Sequence, residues 1–277
     1  VSFRASGDDL QNIRQRRANG LRPFGLNHVV THGDDLMGEL AGKKLEAARQ
    51  VGCQWVRWGV GMQHEDHDKG FVSQCAFVNR IHEKGIKYLC MIDLLVTFDP
   101  PERYYQDFEA FCRTAVKEIP ADAWEIGNEP NNGRMSPECY ARIVSIATGV
   151  FRHSSPAPVC AGAIGDRGNP ADYMRRLRAA TDQFDILSIH VYGAVSRQRV
   201  REALSAVPDK PIWITECGWA GGVFTAAAVK GAYTEYLRNP RIEAIFWYCM
   251  SDPNLPALSI WGTPAWGAYA EMETKTR

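Results

Sequence analysis

Short runs of apolar residues recur along the chain, and each follows a helix-like segment and a turn. The eight runs begin near Phe24, Cys53, Ile86, Ala123, Pro158, Phe184, Pro211 and Glu243. Their starts lie about 31 residues apart on average, which is the length that a strand, a helix and two loops require. Runs that are apolar throughout are typical of strands buried on both faces of a parallel sheet.

The segments between these runs show the apolar spacing of helices. The predicted helices are Gly38–Gln50, Val72–Lys84, Tyr104–Glu118, Pro137–Arg152, Pro170–Ala180, Arg197–Val207 and Thr225–Arg238. Strands that alternate with helices in this way predict an α/β fold, a single-domain (β/α)8 TIM barrel over residues 23–277. A doubly wound open sheet is the alternative. Residues 1–22 are polar and rich in arginine, and we expect them to form an extension or cap outside the barrel.

Composition and charge limit the kinds of partner that the chain is expected to bind. The chain has 32 basic and 32 acidic residues, so it carries no net charge that would steer it onto nucleic acid. Its longest stretch without a charged residue, Pro253–Ala270, contains three prolines and cannot form a membrane-spanning helix. The eight cysteines form no C-x-x-C pair, and we interpret them as buried free thiols. We expect a monomer with neither a nucleic-acid partner nor a membrane span.

Polar side chains stand near the carboxyl ends of most of the predicted strands, which is where TIM barrels carry their function. These residues are Asn27 and His28, Arg57, Asp93, Asn128 and Glu129, His190 and Tyr192, Glu216, and Trp247. The strands of Glu129 and Glu216 lie three apart in an eight-stranded ring, so the two carboxylates face each other across the mouth. Two facing carboxylates are what glycoside hydrolysis requires.

Two motifs in these strands resemble those of a known group of enzymes. WEIGNEP at 124–130 and WITECGW at 213–219 resemble the two catalytic signatures of glycoside hydrolase clan A, the retaining (β/α)8 glycosidases. The chain is most similar to families 39 and 5 of that clan. Arg57, the pair His190-x-Tyr192 and Trp247 match further positions of the clan. The resemblance extends over roughly residues 24–272.

The resemblance implies a role for each matching residue. Glu129 would be the general acid/base and Glu216 the nucleophile, with their carboxyl groups about 5–5.5 Å apart and net retention of configuration. Asn128 would bind the 2-hydroxyl of the sugar, and Trp247 would offer its ring an apolar face. Arg57 and Tyr192 would hold Glu216 ionised and oriented, and His190 would line the site beside Glu129.

Position alone adds further residues. Asn27, His28, Asp93 and Trp219 are candidate substrate contacts, whereas Glu125 lies one layer deeper and is expected to be a structural partner of Arg57 or of a neighbouring strand. The acidic and histidine-rich loop at 63–68 is interpreted as a solvated loop at the rim and not as a metal site. We expect no metal and no cofactor, because two carboxylates suffice for the reaction.

The sequence thus predicts a retaining glycosidase that cleaves a β-linked polysaccharide or oligosaccharide. The βα loops leave little length to close a pocket, so we expect an open groove and endo action. A non-catalytic carbohydrate-binding barrel and a transglycosylase remain alternatives on the same fold. A polysaccharide substrate favours secretion or the cell envelope, while free cysteines and the lack of a leader favour the cytoplasm; export is the preferred interpretation.

Overall fold

Eight parallel strands form a closed barrel in the computed structural model of the chain. The strands are β1 (Phe24–Asn27), β2 (Trp55–Gly61), β3 (Lys87–Asp93), β4 (Ala123–Ile126), β5 (Val159–Ile164), β6 (Ile186–Tyr192), β7 (Ile212–Gly218) and β8 (Ile242–Trp247). Neighbours pair in chain order, and β8 closes the ring against β1. The predicted TIM barrel is therefore confirmed, and the open-sheet alternative is wrong.

The structure describes most of the chain. The described residues are 24–27, 29, 35–62, 67–94, 96, 98–133, 135–193, 196–218, 226–251 and 259–275, together with 11, 15 and 18. Apart from those last three, the predicted extension at residues 1–22 lies outside the described residues and remains a prediction.

Helices follow the strands around the outside of the barrel. They are α1 (Glu39–Gln50), α2 (His67–Glu83), α3 (Glu102–Glu118), α4 (Pro137–Ser154), α5 (Pro170–Ala180), α6 (Ser196–Ala206), α7 (Ala226–Tyr236) and α8 (Pro264–Lys275). The seven predicted helices are confirmed to within five residues at each end. The pattern missed α8, whose first residues include a proline and a glycine, although proline is well tolerated in the first turn of a helix.

The amino-terminal half of the barrel interior is filled by apolar side chains. This layer, here called the barrel floor, consists of Trp55, Leu89, Ala123, Cys160, Ile186, Trp213, Ala244 and Phe246. The rings of Trp55 and Trp213 lie edge to face with centroids 5.0 Å apart. Strand β1 contributes Gly25, where an added Cβ would lie 2.5 Å from the Phe246 ring, so only glycine leaves room for the floor to close.

The next inward-facing positions are polar although they are buried. Asn27, Arg57, Glu125, Ser188 and Thr215 form this layer above the barrel floor. Buried polar groups are costly unless they are hydrogen-bonded. Arg57 bonds both Asn27 and Glu125 within the layer. The Ser188 hydroxyl bonds the backbone of Ala163, and the Thr215 hydroxyl has no partner among the described residues. The fold therefore places a buried polar layer directly beneath the mouth of the barrel.

The cysteines are free thiols, as the sequence predicts, but not all of them are buried. Six of the eight are buried, and Cys75 and Cys139 are half-buried. Within the described segments, no helix is both long enough and apolar enough to cross a membrane.

Candidate active site

Arg57 on β2 lies at the centre of the buried polar layer and is only 3% exposed. Its Nε donates to Glu125 Oε2 at 2.5 Å, and its Nη2 donates to Asn128 Oδ1 at 2.8 Å. Its Nη1 donates to Glu216 Oε1 at 2.7 Å and to Asn27 Oδ1 at 3.1 Å. One guanidinium therefore ties together β1, β4 and β7, and Glu125 is the structural partner that the sequence predicts for it.

Glu216 faces the barrel interior because β7 contains an irregularity just before it. Ile189 pairs with Ile214, but the next residue of β6, His190, pairs with Glu216, so Thr215 is an extra residue in β7. Such a bulge re-aims the side chains that follow it. The Thr215 carbonyl accepts from Asn27 Nδ2 at 2.7 Å, which fixes the bulge to β1.

The Glu216 carboxylate is held on both of its oxygens. Oε1 accepts from Arg57, and Oε2 accepts from the Tyr192 hydroxyl at 2.6 Å. The side chain is 11% exposed, so these charge-assisted bonds act in a largely dry environment. The carboxylate consequently has a fixed position and a compensated charge.

Glu129 is placed by a turn and not by a strand. It lies three residues beyond the end of β4 with φ 49° and ψ 52°, in the left-handed region that side chains other than glycine seldom adopt. Its backbone N–H donates to the Ala163 carbonyl of β5 at 3.0 Å. Its carboxylate accepts from the Asn132 amide and contacts His190, and its side chain is 28% exposed.

His190 bridges the two carboxylates from β6. Its Nδ1 lies 2.9 Å from Glu129 Oε1 and 3.4 Å from Glu216 Oε2, and its side chain is fully buried. One oxygen of Glu129, one oxygen of Glu216 and a ring nitrogen of His190 all lie within 4.8 Å of one another. The two carboxylates are therefore close enough to act on opposite sides of one bond.

The surroundings favour the charged form of the Arg57 guanidinium and the neutral form of the Tyr192 phenol. Burial alone would lower the pKa of Arg57, but the charges of Glu125 and Glu216 outweigh burial and raise that pKa. The pKa of Tyr192 is raised well above its ordinary value by burial and then by the charge of Glu216. Arg57 thus remains a cation and Tyr192 a neutral donor beside Glu216.

The same three side chains, Glu129, His190 and Glu216, are those that could together offer ligand atoms to a metal ion. Each already has a hydrogen-bond partner in the site, and the Arg57 cation lies 2.7 Å from Glu216. We therefore interpret Glu129 and Glu216 as an acid pair that shares a histidine, with the guanidinium bound to Glu216.

A comparison with protein families bears on this acid pair. Residues 128–254 match the family model described as the glycosyl hydrolase catalytic core. The match begins at Asn128 and includes both Glu129 and Glu216. It confirms the prediction that the chain is a glycoside hydrolase.

Solved structures of glycosidases share the fold of this hydrolase. A family 5 enzyme (GH5_18) from Streptomyces cattleya, solved with GlcNAc, is 15% identical with a TM-score of 0.73, over 93% of this chain and 80% of that one. A family 39 β-xylosidase from Caulobacter crescentus is also 15% identical, with a TM-score of 0.65 over 91% and 71%. At this level of identity, the two likenesses confirm the predicted barrel fold.

A third structure differs more in length. A glucosidase from Croceicoccus marinus is 14% identical with a TM-score of 0.69 over 92% of this chain, and the hydrolase spans only 66% of the glucosidase chain. No curated protein matches the hydrolase at a significant level.

The structure brings most of the predicted site residues of the hydrolase together. Asn27, Arg57, Asn128, Glu129, His190, Tyr192 and Glu216 form one hydrogen-bonded network. Asp93 lies half-buried at the carboxyl end of β3. The pKa of Tyr104 is raised mainly by burial, and to a smaller extent by the charge of Cys112 and then by that of Asp93. His28, Trp219 and residues 63–66 lie outside the described residues, and nothing is described of the side chains at 67 and 68.

Among the described residues, Trp247 is a predicted substrate contact that the structure places away from the acid pair. It is 2% exposed and belongs to the apolar cluster that contains the helix residues outside the strands. Strands β7 and β8 pair irregularly, so Trp247 lies beside Cys217, which faces the same outer cluster. The next residue, Tyr248, is half-buried, and its ring lies 6.4 Å from that of Tyr192 between centroids. Tyr248 therefore takes the place beside the site that the sequence predicts for Trp247.

The sequence did not single out two asparagines that follow Glu129 and support it in the structure. Asn132 bonds the Glu129 carboxylate, and Asn131 bonds the backbone of the loop after β5. The available signal was their position, because two amide side chains directly follow a predicted catalytic residue in the motif NEPNN.

Proposed function

We propose that this hydrolase is a retaining glycosidase that cleaves a β-linked polysaccharide within its chain. The observation that carries the proposal is the separation of the acid pair, since oxygens of Glu129 and Glu216 lie within 4.8 Å of each other. Retaining glycosidases have carboxyl groups about 5–5.5 Å apart, whereas inverting enzymes need about 6.5–9.5 Å to admit a water molecule. The geometry therefore favours attack by the enzyme's own carboxylate.

Glu216 is the proposed nucleophile because it is the more buried carboxylate and lies 2.7 Å from a permanent cation. A glutamate oxygen attacks the anomeric carbon and forms a covalent glycosyl-enzyme as the bond to the leaving oxygen breaks. The partial positive charge that develops on the sugar ring is stabilised by the negative charges of the site. Arg57 and Tyr192 orient the carboxylate for this attack.

Glu129 is the proposed acid/base because it is the more exposed carboxylate and can exchange a proton with substrate and solvent. Protonated Glu129 gives its proton to the leaving oxygen as that bond breaks. In the second step the Glu129 carboxylate takes a proton from water, whose oxygen attacks the anomeric carbon and releases Glu216. The amide of Asn128, whose oxygen is occupied by Arg57, keeps its N–H groups for the sugar 2-hydroxyl.

Endo action is supported by the short connections at the mouth of the barrel. They range from three residues between β6 and α6 to sixteen between β8 and α8. Connections of this length offer little chain to close a pocket over the acid pair, so we infer a groove open at both ends that admits a polymer.

The test is to incubate the protein with a panel of β-linked glucans, xylans, mannans and bacterial exopolysaccharides. Large oligosaccharides should appear with the wild type and not with Glu216→Ala, while the matched variant Glu202→Ala, on α6, should remain active. Proton NMR of the first products should show the β anomer before mutarotation. An α anomer would overturn retention, release of monosaccharides alone would overturn endo action, and products formed only with an added sugar acceptor would indicate a transglycosylase.

A further inference from the structure

The position of the Glu129 side chain needs an explanation that β4 does not supply. The strand ends at Ile126, and Glu129 stands in a left-handed turn beyond it. A glutamate with three rotatable bonds that is 28% exposed has room to sample other rotamers. Proton transfer nevertheless requires its carboxyl within hydrogen-bond reach of the leaving oxygen. Something other than the strand must hold it.

Two side chains hold the carboxylate, one on each oxygen. His190 lies 2.9 Å from Oε1, and the Asn132 amide donates to Oε2. His190 also lies 3.4 Å from Glu216, so it serves both acids. Asn132 contacts Glu129 and not Glu216 among its described hydrogen bonds, which makes it specific to the acid/base.

The orientation of the Asn132 amide follows from its second contact. Its Oδ1 accepts from the backbone N–H of Arg167 at 3.3 Å, so its Nδ2 is the atom that faces Glu129. A reversed amide would set its oxygen against a carboxylate and its N–H2 against an N–H group. The contact with Glu129 is therefore a donated hydrogen bond.

The loop that anchors Asn132 is itself fixed by Asn131. The Asn131 amide donates to the carbonyls of Gly165 at 3.0 Å and Arg167 at 2.9 Å, and its oxygen accepts from the Gly165 N–H at 2.8 Å. Gly165 also supplies space, since an added Cβ would lie 2.8 Å from both Glu129 Cδ and Asn132 Oδ1.

From these contacts we propose that Asn132 is a positioning residue, which holds the Glu129 carboxyl in place for proton transfer and is anchored to the loop at 165–167. The inference rests on the proposed acid/base role of Glu129. Asn169 gives the matched control, because its amide side chain lies near the same loop but caps α5 through the N–H of Asp172 and has no described bond to Glu129 or Asn132.

The first measurement does not depend on activity. Crystal structures of the wild type, Asn132→Ala, Asn132→Asp and Asn169→Ala would be compared at the Glu129 side chain. We expect the carboxyl to leave its contact with His190 in both Asn132 variants and to keep it in Asn169→Ala. Asn132→Asp preserves the shape of the side chain, so it remains informative if the alanine variant folds poorly. A Glu129 carboxyl that stays in place in both Asn132 variants overturns the inference.

The second measurement compares leaving groups on aryl β-glycosides of the sugar that the polysaccharide panel identifies. A phenyl glycoside needs a proton from the acid, and a 2,4-dinitrophenyl glycoside does not. We expect kcat/KM of Asn132→Ala to fall about tenfold or more on the phenyl substrate and less than about threefold on the dinitrophenyl one. A carboxyl that moves while both substrates lose activity equally would support the contact and count against the acid role of Glu129.

Discussion

The two carboxylates of the site are held in opposite ways. Glu216 stands on a strand, is 11% exposed and is bound by a guanidinium and a phenol. Glu129 stands on a turn, is 28% exposed and is bound by an amide, a histidine and a backbone carbonyl that accepts from its N–H. In the proposed reaction Glu216 has to remain charged until it attacks, whereas Glu129 has to gain and lose a proton in every cycle. A permanent cation suits the first task, and partners without a permanent charge suit the second.

The largest effect is expected from removing Arg57, the cation that binds Glu216. Arg57→Met leaves Glu125 and Glu216 buried without their partner, which should cost about 3–5 kcal/mol of unfolding free energy. The disordered nucleophile should lower kcat/KM on the order of 10³-fold. Urea denaturation and steady-state kinetics measure the two effects.

The control for this variant is Arg199→Met on α6. Arg199 is 8% exposed, but its partners Asp166 and Glu202 are partly exposed and can be solvated when it is lost. Its kcat/KM should remain within a few-fold of the wild type. Equal losses in the two variants would mean that Arg57 acts through stability alone.

Removing the proposed proton donor, Glu129, should lower kcat/KM selectively on substrates whose leaving group needs a proton. Glu129→Gln keeps the shape of the side chain and should lower kcat/KM about 10²- to 10⁴-fold on phenyl glycosides. The loss on dinitrophenyl glycosides should be far smaller, because their leaving group departs as an anion. Glu216→Gln should abolish the reaction of both substrates. The same leaving-group dependence in the two variants would contradict the division of roles.

A smaller effect is expected from the phenol that binds Glu216. Tyr192→Phe removes one hydrogen bond to a charged group, so kcat/KM should fall about 10- to 100-fold. The pKa of Tyr192 is raised well above its ordinary value by burial and the charge of Glu216, so the hydroxyl stays protonated as the pH rises through 9. The ratio of wild-type to variant rates should therefore be constant from pH 5 to 9.

Tyr173→Phe is the matched control, since the Tyr173 hydroxyl is buried and has no hydrogen-bond partner among the described residues. It should leave kcat/KM unchanged. A wild-type advantage over Tyr192→Phe that disappears toward pH 9 would show that Tyr192 ionises in this range.

The smallest effect concerns the backbone support of Glu129. Ser188 Oγ accepts from the buried N–H of Ala163, whose carbonyl accepts in turn from Glu129. Ser188→Ala should cost about 1–3 kcal/mol of unfolding free energy, because it leaves that N–H unsatisfied. It should lower kcat/KM about two- to fivefold on phenyl glycosides. Ser145→Ala, which removes a hydroxyl contact to Thr181 outside the barrel, should have no kinetic effect.

The sequence predicted the barrel because its evidence is repeated eight times. Apolar runs and helical spacing reinforce each other along the chain, so an error in one element does not alter the fold. Glu125 is the clearest success at the level of one residue. Its place one layer below Glu129 followed from alternation along β4, and it does bond Arg57.

The alternation failed at β7, and at β8 it was applied in the wrong phase. The extra residue at Thr215 is set by contacts between strands, which no local pattern records. Strand β8 alternates regularly, with Ala244 and Phe246 in the barrel floor and Trp247 in the outer cluster. The sequence therefore predicted a substrate contact for Trp247, whereas Tyr248 lies beside Tyr192. Asn132 was missed for a related reason, because its contact depends on the left-handed turn at Glu129 and on a loop some thirty residues further along the chain.

The barrel floor separates the residues that stabilise the barrel from those that would bind substrate. Trp55, Trp213 and Phe246 pack together across one end of the barrel, so in the proposed reaction sugar and water would reach the acid pair from the opposite end. Because the floor touches no substrate in the proposed reaction, its residues are open to engineering for thermostability, while the choice of sugar is engineered independently at the mouth. The floor and the mouth of the barrel can thus be treated as two parts of the hydrolase that are altered separately.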